Sequence, residues 1–237
     1  MHQVAVEVCV ETIDAALAAA AGGADRIELC ANLDEGGTTP APELLSSGVA
    51  RLTIPVFAMV RPRAGDFRYS SAEVDDMARE ARACRDLGAL GIVCGALGAD
   101  AAVDAEAVRA VLRAARPLPV TFHRAFDAAR DANEALDALL SLGVDRVLTA
   151  GGPGSAAEGV EQLSHLVRRA AGHIGILAAG AVRAHNARSI IGATGVREVH
   201  ARLASSDEVR SLVVAANPPV QIHPEMFYHS RATGGGT

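Results

Sequence analysis

Tryptophan is absent, and only two tyrosines and five phenylalanines are spread over 237 residues. A core built with so few aromatics must rest on layers of Ala, Val, Leu and Ile. No run of 18 apolar residues occurs, so no membrane span is expected. The N-terminus passes straight into an apolar strand, without the basic leader, apolar stretch and small-residue cleavage site of a secretion signal. The four cysteines, Cys9, Cys30, Cys84 and Cys94, show neither CxxC spacing nor the density of a disulfide framework, which points to the cytoplasm. A net charge of -6, with no basic aromatic stretch, gives no reason to expect nucleic acid. No nucleotide cofactor is expected either.

What is present is a regular alternation. The stretch Val120-Thr121-Phe122-His123-Arg124-Ala125-Phe126-Asp127 runs from β-branched and aromatic residues straight into three ionisable ones. Its first part suits a buried strand, and its end suits a strand that opens into a site. Seven further apolar runs resemble it, each followed by a helical segment. Thr12, Ser70 or Ser71, Asp104 and Ser205 or Ser206 are placed to cap four of those helices. Four segments beginning at Gly23, Gly88, Gly143 and Gly195 each join a helix end to a strand, at spacings of 65, 55 and 52 residues. A period of two βα units predicts a closed (βα)8 TIM barrel, a single α/β domain over residues 1–216. A doubly wound sheet would explain the alternation but not that period. Residues 217–237 form a C-terminal tail, expected to be loosely ordered or placed at an oligomer contact.

Strand parity then sorts the side chains. Glu7 and Cys9 share one face of the first strand, and an ionised carboxylate facing the helix layer would be costly. That face therefore points into the barrel. Glu28 with Cys30, Glu198 with His200, and Arg61 with Arg63 follow the same alternation. With His123, Arg124 and Asp127 after the fifth strand and Arg183 after the seventh, polar groups gather where the strands end. Barrel enzymes place their sites at that end.

Arg61, Arg63, Arg124 and Arg183 favour a small anionic ligand, a carboxylate or phosphate. Glu28, His123 and Asp127 are the acid–base candidates if the protein is an enzyme. Glu7, Asp66 and His200 complete the ligand-binding set, with Asp66 in a loop that could serve as a lid. Cys9 and Cys30, on neighbouring strands about 4.8 Å apart, allow a shared soft ion such as Cu(I), with His200 nearby. A plainer reading sits beside these: Glu7, Glu28, Arg61 and Glu198 form a buried ionic network that satisfies only itself.

Several segments together resemble one family. They are Glu7-Val8-Cys9, the run from Gly23 to Cys30, Glu35-Gly36-Gly37-Thr38-Thr39-Pro40, Arg61-Pro62-Arg63-Ala64-Gly65-Asp66-Phe67, the run from Thr121 to Asp127, Arg146-Val147-Leu148-Thr149 and Glu198-Val199-His200. They resemble the CutC family, in order, over about the first 200 residues. The resemblance implies a cytoplasmic barrel, assembled as a homodimer or higher homo-oligomer. It also implies copper homeostasis, with Cu(I) on Cys9 and Cys30. The chain departs from that pattern at Arg68, where some members carry a cysteine, and at Ala201-Arg202, which replaces small hydroxyl residues. The short region that follows implies a truncated or rebuilt last helix.

Overall fold

The computed structural model describes residues 3–219. Its strands are β1 (Ala5–Val10), β2 (Arg26–Leu29), β3 (Val56–Met59), β4 (Gly91–Cys94), β5 (Val120–Phe122), β6 (Arg146–Thr149), β7 (Gly175–Ala178) and β8 (Glu198–Ala201). They pair in chain order as a closed parallel barrel, and the β1–β8 ladder excludes the doubly wound alternative. The helices are α1 (Ile13–Ala21), α2 (Pro42–Arg51), α3 (Ser71–Asp86), α4 (Ala105–Ala115), α5 (Ala132–Leu142), α6 (Val160–Ala170), α7 (Ala184–Thr194) and α8 (Ser206–Ala216). Two short 3-10 turns, Leu33–Glu35 and Arg124–Ala128, follow β2 and β5. Neither was expected. Among the described residues no helix is long and apolar enough to cross a membrane.

The local signals act as the sequence implies. Thr12 caps α1, Asp104 caps α4, and Ser70 and Ser205 each form a capping box with Glu73 and Glu208. The last helix spans Ser206–Ala216, where the Ser205 box starts it and Val209, Leu212 and Ala216 bury its inner face. The four repeat glycines all adopt left-handed φ: +94° at Gly23, +95° at Gly88, +74° at Gly143 and +74° at Gly195. An L side chain resists that conformation, so glycine ends each helix and turns the chain into β2, β4, β6 or β8. Asp25 and Asp145, two residues after their glycines, accept from the backbone N–H of Val6 and Val120, both at 2.8 Å. Each aspartate thereby fastens its strand to the one before it.

Burial separates two apolar regions. The larger lies between strands and helices and includes Val6, Val8, Ile27, Leu29, Ile92, Leu136 and Leu139. Each such side chain contributes about 1.5–3 kcal/mol on burial, so this layer carries most of the stability. Among the described residues the lumen holds two small apolar groups: Cys30, Phe57, Met59 and Val93, and Leu148, Leu177 and Ala179. A Cβ at Gly91 would lie 2.4 Å from the Phe57 ring, so the missing side chain admits that ring to the lumen. The rest of the lumen is left to polar groups.

Asn217 belongs to the barrel. Its Oδ1 accepts from the Val4 N–H at 2.7 Å, and its Nδ2 donates to the Val4 carbonyl at 2.9 Å. The remainder of the expected tail, from residue 220 onward, lies outside the described residues.

Candidate functional site

The lower lumen is an ionic plug. The ladders set Glu7 beside Arg26 on β2 and beside His200 on β8. Arg26 donates to Glu7 and to Glu198, each at 2.5 Å. His200 Nδ1 lies 2.7 Å from Glu7 Oε1. Burial alone would raise the Glu7 carboxyl, but the His200 hydrogen bond and the Arg26 charge overcome it and hold the group at about 2. Arg26 and Arg146 both lie against the Phe57 ring, at 4.9 and 4.7 Å. Of the network foreseen for Glu7, Glu28, Arg61 and Glu198, Arg26 joins Glu7 to Glu198. Arg26, which shares a face with Glu28 by strand parity, is the member the sequence reading passed over.

Arg61 is not part of that network, and Glu28 touches it through His200. One layer above Glu7, the ladder pairs Cys9 with Glu28. Donor atoms of Cys9, Glu28 and His200 all lie within 4.8 Å of one another. His200 Nε2 is 3.5 Å from Glu28 Oε2, while Glu28 Oε1 has no partner. Burial pushes Glu28 up to about 7; His200 opposes that shift and Glu7 adds to it. Burial works against the His200 cation, but Cys9, Glu7 and Glu28 outweigh it and raise His200 well above its ordinary value.

Cys30 does not stand level with Cys9, as expected for a two-thiol site. It follows β2 and lies two residues beyond Glu28, nearer the C-terminal mouth. Its side chain packs with Phe57, Met59 and Val93. Burial, and then the nearby Glu28 charge, push its thiol well up. Cys84 and Cys94 are buried packing residues, each pushed to about 12 by burial.

Above the plug is a cavity of about 320 Å³, bordered by Cys9, Glu28, Cys30, Arg61, His123 and His200. Arg61 follows β3, and carbonyls hold its guanidinium: Nη1 donates to Glu35 and Gly37 at 3.1 and 3.0 Å, and Nη2 to Gly65 at 2.9 Å. Its Nε finds no partner among the described residues. His123 follows β5, where the Ala125 N–H donates to its Nδ1 at 3.1 Å. That bond makes Nε2 the protonated nitrogen of the neutral ring, and Nε2 too is unpartnered. The Phe67 ring backs both residues, 4.9 Å from the Arg61 guanidinium and 5.1 Å from the His123 ring.

Burial, then the Arg61 charge, lower His123 to about 3 from 6.5. A depressed base carries its full stability above pH 6.5 and loses it as pH falls toward 3, because only the unfolded chain takes the proton. Between pH 8 and 5 this residue should therefore cost the native state about 2 kcal/mol. Urea denaturation at the two pH values should show that difference between the parent protein and His123→Gln. Equal pH slopes for the two proteins would refute a buried neutral ring.

Other expected residues sit elsewhere. Asp127 does not border the cavity. Its carboxylate accepts from Thr149 Oγ, from the Ala150 N–H at 3.0 Å and from Arg124 Nε at 2.8 Å. It anchors the β6 loop, and its oxygens are occupied by that loop rather than open to a reacting group. Arg63 turns away to Glu73 at 2.5 Å and Asp66 at 3.0 Å, and Asp66 is exposed. Arg124 borders the cavity, whereas Arg183 borders a neighbouring one of about 480 Å³. Arg202, which sequence reading noted only as a departure, lines both and pairs with Asp34 at 2.8 Å.

Comparison with known proteins accords with this architecture. The CutC family profile matches residues 4–205. A copper homeostasis protein cutC homolog of Homo sapiens is 45% identical over 195 residues, covering 82% of this chain and 71% of that protein. A family protein CutC of Mesorhizobium japonicum is 46% identical over 215 residues, covering 91% and 83%. The crystal structure of CutC from Streptococcus agalactiae superposes with a TM-score of 0.80 at 31% identity, covering 84% of this chain and 98% of that one. Phosphoribosylanthranilate isomerase from Thermotoga maritima, at 12% identity and a TM-score of 0.60, shares the fold alone. With its profile, its relatives and its closed barrel in agreement, the chain belongs to the CutC family.

Proposed function

We propose that this protein binds Cu(I) in the cytoplasm, with Cys9 and His200 as the principal ligands. One observation carries the reading: a thiol and an imidazole meet at the floor of a cavity, with donor atoms within 4.8 Å. Sulfur and imidazole nitrogen suit a soft monovalent ion, and Glu28 is a harder donor at its side. Glu7 holds His200 through Nδ1 at 2.7 Å, which leaves Nε2 for the ion. A carboxylate behind a ligating histidine fixes the ring in this manner and raises its basicity. Cys30 is replaced as a ligand by His200, because it stands higher and among apolar neighbours. The family's link to copper homeostasis supports the same reading.

Cu(I) titration against a competing chelator, under reducing conditions, tests this. Cys9→Ser should weaken binding at least about a hundredfold, since the soft ligand is gone, whereas Cys30→Ser should change it little. Equal losses in the two variants, or none in Cys9→Ser, would refute the site.

A further inference from the structure

The cavity is far larger than one ion needs. Three residues that line it each bury a polar atom that finds no partner among the described residues: Glu28 Oε1, Arg61 Nε and His123 Nε2. Their residues are 2%, 4% and 4% exposed. Native interiors leave few such atoms unpaired, and each one calls for a reason. Here all three residues line the same space.

The two donors belong together. Arg61 and His123 rest against the same Phe67 ring. The Arg61 guanidinium donates to the carbonyls of Glu35, Gly37 and Gly65 and has the Tyr69 hydroxyl near it, and among the described residues no carboxylate lies within ion-pair distance of it. A buried cation without a counter-ion favours an anion at its free edge. His123 presents a neutral N–H beside it, because its Nδ1 already accepts from Ala125. The Arg61 Nε–H and the His123 Nε2–H suit the two oxygens of a carboxylate.

Glu28 Oε1 is an acceptor and calls for a hydroxyl or similar donor. The apolar wall comes from Leu33, Met59 and Leu148. A volume of about 320 Å³, at about 30 Å³ per water-sized group, holds a molecule of roughly ten non-hydrogen atoms. We propose that the cavity binds a small hydroxycarboxylate, with its carboxylate on Arg61 Nε and His123 Nε2 and its hydroxyl on Glu28 Oε1. This does not depend on Cu(I), whose ligands are Cys9 and His200.

Isothermal titration of the metal-free full-length chain with glycerate, acetate and inorganic phosphate tests it. Glycerate should bind saturably and more tightly than acetate, which lacks the hydroxyl, and more tightly than phosphate. His123→Leu and Arg61→Lys should each weaken glycerate roughly 10- to 100-fold, the effect of losing one hydrogen bond to a charged group. Arg61 also holds three loop carbonyls, so His123→Leu, checked for a native thermal transition, decides the matter should Arg61→Lys not fold. No saturable heat with glycerate would overturn the proposal. So would tighter binding of phosphate, or unchanged affinity in folded His123→Leu. Because the protein is metal-free, failure here leaves the copper titration unaffected.

Discussion

Glu7→Gln should destabilise the protein by about 3–5 kcal/mol, the cost of removing one partner from a buried ion pair. Glu7 is 1% exposed and receives both Arg26 at 2.5 Å and His200 at 2.7 Å. Glutamine keeps the size of the side chain, so no cavity opens and the loss reports charge. Arg26 would retain only Glu198, which is more solvated at 21% exposure. His200 would lose its closest carboxylate and keep Glu28 at 3.5 Å. The sign with pH is also set: Glu7 is depressed to about 2 from 4.5, so its contribution is present above pH 4.5 and lost as pH falls toward 2. Thermal unfolding at neutral pH should show a midpoint lower by roughly 6–20 °C for a domain of this size. A drop of under about 1 kcal/mol would mean that Arg26 and Glu198 suffice without Glu7.

Asp127→Ala should cost about 2–4 kcal/mol, because it leaves a buried backbone N–H and a hydroxyl without an acceptor. The Asp127 side chain is 6% exposed, and its oxygens receive Thr149, Ala150 and Arg124. Loss of the carboxylate should loosen the turn through Gly151 and Gly152, and hydrogen exchange at Ala150 and Gly152 should rise together. Arg124, released from Asp127, should also become more mobile at the cavity edge. The alternative, Asp127 as an acid–base group, makes the opposite forecast: stability near the parent value with function lost. Unfolding and exchange measured on the same variant separate the two, and unchanged exchange at Ala150 would defeat the anchoring role.

Some of this architecture was legible residue by residue. The glycines at 23, 88, 143 and 195 mark helix ends because the conformation they adopt is local. The caps at Thr12, Asp104 and Ser205 are visible because each lies within a few residues of the N–H it accepts from. Glu7, Cys9, Glu28 and His200 could be assigned to the lumen because side chains alternate along a strand. Arg26 and Arg146 obey the same alternation and were still missed, since each opens a strand within a repeat and reads there as punctuation. The contacts of Asp127 are not legible locally, because its partners, Thr149 and Ala150, come from the end of the next strand and lie more than twenty residues away.

The amino-acid order alone determined the eight-fold βα alternation, its quarter repeat and the polar face of each strand, because these depend on periodicity and short-range conformation. The folded chain decided which polar groups meet. Register between neighbouring parallel strands comes from barrel closure and helix packing across dozens of residues, so no local pattern specifies it. That register put Cys9 opposite Glu28 rather than level with Cys30, locked Glu7 between Arg26 and His200, and left Arg61 and His123 with open donors over the same cavity.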